Sequence, residues 1–188
     1  MYGIAVSMVF LLLDVDINFG RHTLALLPAF VGYWRLAFGC RKFEEMYEPL
    51  AALATPARVM AALSGVGFLL RLFGVGTSLP WAGLFTCASV LIRAVFLWRV
   101  TAAIQGLKET YRLDLPAETL TRRSRWYIAF TLVAPTLGFL AAARGSGALL
   151  VFLWLVTAVV GICFCVGFFR CVARYRDCVP PKWRDTAE

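Results

Sequence analysis

The chain has 188 residues, 16% of them charged and 61% hydrophobic, with a mean hydropathy of +0.75. A soluble domain carries roughly 25% charged residues, so this balance excludes an ordinary water-soluble fold and points to a polytopic membrane protein. The net charge of +8 is dispersed between apolar runs and forms no single stripe, which sets nucleic acid aside and makes the lipid bilayer the expected partner.

Six apolar stretches follow in chain order, at about 2–19, 24–40, 57–74, 79–100, 126–143 and 147–169. A helix needs about 20 residues to cross ~30 Å of hydrocarbon, and the last four satisfy this directly. The first is marginal. Tyr2 to Leu13 would rise only ~18 Å, so the helix either continues through Asp14 and Asp16 or stops short. No basic region precedes this run and no small-residue cleavage pattern ends it, so it is read as a retained first helix.

Counting Lys and Arg by connection sets the orientation. With six crossings and the N-terminus inside, fourteen of the nineteen basic residues fall on the inner side. Arg21 and Arg144 fall outside, and Arg35, Arg71 and Arg93 lie within spans. This asymmetry predicts cytoplasmic termini and a multi-pass protein of the bacterial cytoplasmic membrane. The outer connections FGRHT, GVGTS and ARGSG are short and turn-rich, which predicts three antiparallel hairpins. The fold expected is therefore all-α, with six transmembrane helices in one domain over residues 1–170 and a flexible basic cytoplasmic tail over 171–188.

The inner connections carry some pattern of their own. Phe43, Met46, Tyr47, Leu50 and Leu53 recur at helical spacing among Glu44, Glu45 and Glu48, which predicts a helix lying in the inner interface. Residues 101–113 predict an extension of the fourth apolar helix beyond the bilayer, stopped by Asp114 and Pro116. Pro28 and Pro135 are expected to kink their helices, and Gly65, Gly67, Ala142, Gly161 and Gly167 to allow close helix contact.

Ionisable groups at membrane depth are the best functional clue in such a chain, because each costs ~2.5–3.5 kcal/mol to insert at a helix centre. Asp14 falls ~12 Å below the outer face, Arg35 ~16 Å and Arg71 ~9 Å, on three different helices. With Asp16 and Asn18 at the irregular end of the first helix, these residues define a candidate ligand-binding pocket open to the outside. The bland reading is that Asp14 pairs with Arg35 to hold the hairpin while Arg71 snorkels to headgroups.

Asp14-x-Asp16-x-Asn18-x-Gly20 begins like a calcium loop but fails it. The glycine is one place late, and the residue that should supply a bidentate carboxylate is Ala25. His22 is read as an exposed polar residue. The six cysteines contain no C-x-x-C, so neither a disulfide framework nor a metal site is read from them. No metalloprotease, nucleophile-elbow or phosphate-loop motif is present, so no catalytic residue and no cofactor is assigned and the chain is not read as an enzyme.

The run Asp16-Ile-Asn18-Phe-Gly20, followed by Leu27-Pro28-x-x-x-Gly32-Tyr33 and Gly39, resembles a group of uncharacterised small multi-pass membrane proteins of Gram-positive bacteria, in which a D-x-N-x-G turn precedes an L-P-x-x-x-G-Y helix. The resemblance covers the first quarter of the chain, and Arg35 departs from the usually apolar continuation. In architecture alone the chain is similar to the membrane substrate-binding subunits of energy-coupling factor transporters, which implies capture of a small solute near the outer half. Two functional classes stand: a small-solute transporter or its membrane subunit, and a non-catalytic scaffold that binds a membrane or cytoplasmic protein partner through residues 101–125 and the basic tail.

Overall fold

In the first apolar run the described helix covers Tyr2–Leu12. A computed structural model of the chain describes residues 1–12, 16–19, 22–25, 27–73 and 82–179. The elements are α1 (Tyr2–Leu12), strands β1 (Asp16–Phe19) and β2 (His22–Ala25), then α2 (Ala29–Arg41), α3 (Glu48–Ala51), α4 (Ala54–Leu72), α5 (Ala82–Tyr111), α6 (Ala117–Ala143) and α7 (Gly147–Cys178). The fold is helical apart from the β1–β2 hairpin. Among the described residues, three stretches are long and apolar enough to cross a membrane: Glu48–Leu70, Cys87–Tyr111 and Gly147–Cys178.

The helices form two groups of three. In one, α2 packs along both α1 and α4; in the other, α6 packs along both α5 and α7. The first and last of the expected hairpins are therefore present as α1–α2 and α6–α7. Among the described residues the middle one has no comparable seam, because α4 packs mainly on α2 and α5 mainly on α6.

At the α1–α2 seam the reason is glycine. A Cβ at Gly39 would lie 2.8 Å from Cγ1 of Ile4 and 3.0 Å from its backbone nitrogen, and one at Gly32 would lie 2.9 Å from Cβ of Phe10 and Cγ of Leu11. Two missing side chains, seven residues apart on one face, let the backbones meet. Of the glycines expected to serve this purpose, Gly67 has open space and Gly65 makes ordinary contact with Phe30.

Most of the buried core lies toward one end, here called the base, where Met1, the 39–47 segment, Tyr111 and Cys178 gather. Phe43, Leu50, Ile104, Leu107, Phe168 and Tyr175 are all fully buried there. The segment expected to lie as an interfacial helix is instead a run of turns followed by the single-turn α3, with Phe43, Met46 and Leu50 turned into this core. Pro49 sits at the start of α3, where a missing N–H costs nothing, and keeps the segment from becoming one longer helix. Pro28 likewise starts α2 and does not kink it.

Tyrosines join the two groups. The Tyr111 hydroxyl donates to the carbonyl of Met46, the Tyr175 hydroxyl to its sulfur at 3.3 Å, and the Tyr33 ring meets Phe96 edge-on at 5.3 Å. α5 runs unbroken to Tyr111, as its extension predicted, and ends in a Schellman turn. The Leu113 N–H bonds the Lys108 carbonyl at 3.1 Å and Arg112 takes a left-handed φ of 51°. At the far end of α6 the turn to α7 uses Gly145 at φ 65°, a conformation that suits a residue without Cβ. Residues 171–178 continue α7, with Cys171, Val172 and Tyr175 buried, so this part of the basic tail belongs to the bundle. Residues 180–188 lie outside the described part.

Away from the base the helices present apolar surface outward. Val59, Leu63 and Val66 on α4 are more than half exposed, as are Val151, Phe152 and Val159 on α7. The hydroxyls of Ser64, Thr131 and Thr157 donate to carbonyls four residues back in their own helices, so they need no water. Such faces are costly in water and suited to hydrocarbon.

Candidate functional site

The site grows from the last residues of the described helix α1, whose eleven residues rise ~16 Å, about half the thickness of a bilayer. The Tyr127 hydroxyl of α6 donates to the Leu12 carbonyl at 3.3 Å, and Tyr127 is itself buried against Phe164. The Leu12 carbonyl is thus held by a side chain from the opposite helix group.

Beyond α1 the chain forms the β1–β2 hairpin, with Asp16 paired to Ala25, Ile17 to Leu24, Asn18 to Thr23 and Phe19 to His22. Alternating apolar and polar residues suit a strand better than a continued helix, and two consecutive acid-bearing turns would have broken the helix at greater cost. β2 lies against α4, the helix whose last turn carries Arg71. The backbone thus places β1, which bears Asp16 and Asn18, beside the strand that lies against this helix.

Arg35 is placed differently. The inward face of α2 consists of Gly32, Tyr33, Leu36, Ala37, Gly39 and Cys40, and Arg35 is exposed with Trp34 and Phe38 on the other side. The period puts Arg35 on the flank of this face, ~100° from Leu36, and the packing of α2 on α1 and α4 leaves it outside. Asp14 lies outside the described residues, as do the side chains of Asp16, Asn18 and Arg71.

No family model, curated protein or solved structure matches this chain. Its chemistry must therefore be read from its own residues. Among the described residues no three His, Cys, Asp or Glu side chains come together as a metal group, and no buried side-chain polar atom lacks a hydrogen bond. The base is accordingly a satisfied, dry structure. The Arg123 guanidinium of α6 donates to the Cys163 carbonyl of α7 at 3.0 Å, lying in the space left by Gly167, and Lys108 pairs with Glu118 at 2.8 Å.

A two-stranded sheet such as β1–β2 leaves backbone N–H and C=O groups along its edges. The sequence signals for Tyr127 and the Gly32–Gly39 pair were available, in an aromatic within a polar helix start and in two glycines one heptad apart.

Proposed function

We propose that this chain is a multi-pass protein of the bacterial cytoplasmic membrane, with both termini inside, that binds and transfers a small polar solute or serves as the membrane subunit that captures one. The observation that carries the reading is the hydrogen bond from Tyr127 to the Leu12 carbonyl of α1, with the β1–β2 hairpin following in the chain. The alternation of direction through α1, α2, α4, α5, α6 and α7 supports six passages. Arg41, Lys42, Lys108, Arg112 and Arg174 sit toward the base, the expected cytoplasmic side. The outer-half pocket would be formed by Asp14, Asp16, Asn18 and Arg71, with Arg35 outside it. No catalytic step and no cofactor is part of this reading.

Two measurements test it. Asn18→Cys, made with Cys87 and Cys163 replaced by Ser, should react with a membrane-impermeant maleimide added to the outer side of intact cells. Native mass spectrometry of the detergent-purified chain should show a bound small molecule, lost on Asp16→Asn and on Arg71→Gln. An unreactive Asn18→Cys and no retained molecule would overturn the proposal. A protein co-purifying in place of a solute would favour the scaffold reading.

A further inference from the structure

The middle of the bundle leaves a groove. Between α4 and α5 lies an open space of about 460 Å³ lined by apolar residues, among them Pro56, Val59 and Met60 from α4 and Ile92, Val95 and Phe96 from α5. It extends only ~6–8 Å along each helix, far too short to seat a partner helix ~10 Å across, and is better suited to a narrow flexible chain. Directly toward the base on α5 stands Arg99, one turn from Val95 and Phe96 and two from Ile92, so it continues the same stripe. Arg99 is exposed, stacks over the Trp98 ring at 5.8 Å, and forms no ion pair among the described residues. Trp98 and Arg99 mark the level of the inner headgroups.

An apolar slot that ends at an uncompensated guanidinium at headgroup depth is complementary to one kind of molecule. We propose that the α4–α5 groove binds one anionic phospholipid of the cytoplasmic leaflet, its acyl chain among Val59, Met60, Ile92 and Phe96 and its phosphate on Arg99. This rests on the membrane orientation proposed above but not on the solute pocket.

The test is native mass spectrometry of the full chain in detergent with phosphatidylglycerol and phosphatidylcholine of equal chain length supplied together. One lipid per chain should be retained, with phosphatidylglycerol favoured by about fivefold, the contribution of one basic side chain near an anionic headgroup. Arg99→Gln should remove the preference, Arg99→Lys should keep it, and Ile92→Trp, which fills the slot, should abolish retention of either lipid. Val59→Phe repeats the filling from the other helix and guards against misfolding of the first variant. Retention without headgroup preference, retention unchanged by both filling variants, or a dimer that either filling variant dissociates would each overturn the proposal. Asp16→Asn leaves the groove untouched, so lipid retention in that variant separates this inference from the solute reading.

Discussion

Gly39→Ala isolates the contact that fixes α1 on α2. The new Cβ would sit 2.8 Å from Ile4 Cγ1 and 3.0 Å from the Ile4 backbone nitrogen. The first atom can rotate away, but the second cannot, so the helices must separate. Overpacking of this kind costs ~1–3 kcal/mol. Against it stands the better helix propensity of alanine, worth ~0.8–1 kcal/mol over glycine. The clash should win, with a net loss of up to about 2 kcal/mol, or up to ~8 °C in melting temperature for a chain of this length.

Gly67→Ala is the matched control. A Cβ there meets nothing within 4 Å, so only the propensity term acts and the protein should gain up to about 1 kcal/mol. Melting followed by tryptophan fluorescence in one detergent should therefore move in opposite directions for the two variants. Gly32→Ala should resemble Gly39→Ala, and the double variant should lose less than the sum, since a lifted α1 no longer meets the second Cβ. Equal shifts of the same sign for Gly39→Ala and Gly67→Ala would refute the close-packed seam.

Other perturbations follow from single contacts. Arg112→Gly relieves a left-handed residue at the end of α5 and should stabilise the chain by ~1 kcal/mol, read as a higher melting temperature. Tyr111→Phe removes the bond to the Met46 carbonyl and should cost ~1 kcal/mol, seen as faster hydrogen exchange across residues 43–47. Tyr127→Phe removes the bond to the Leu12 carbonyl of α1 and should speed exchange around it while leaving the base protected. The hydrogen bond from Lys108 holds the Glu118 carboxyl below its usual value of 4.5. Its contribution is therefore present above that pH and lost as pH falls through the lowered folded-state value. Wild type and Glu118→Gln should differ in melting temperature at pH 6 and converge in strong acid; a difference that persists there would exclude the ion pair as its source.

Much of the helical framework could be read from the sequence, for physical reasons that are local. Continuous apolar runs at 79–100 and 147–169 leave a chain little choice but helix, since each backbone group must then be satisfied within the segment. The Asp114–Pro116 break and the Gly145 turn were equally local, one through a fixed φ and the other through tolerance of a positive one. The apolar character of the long helices followed from composition. None of this required a partner residue to be known.

What the sequence could not decide was where each apolar run would find its contacts. The Leu12 carbonyl of α1 takes a hydrogen bond from Tyr127, distant in the chain, and no window of sequence contains both. Depth counting placed Arg35 level with the other charges, but the packing of α2 on α1 and α4 chose which face turned inward and left Arg35 on the opposite one. The 43–53 pattern suited an interfacial helix or a buried turn equally well, and the core at the base chose the turn. The groove between α4 and α5 exists because each of those helices packs better elsewhere. Residue type and period fixed what each segment could be; only the tertiary structure decided which faces met, because close approach depends on the shapes of both partners.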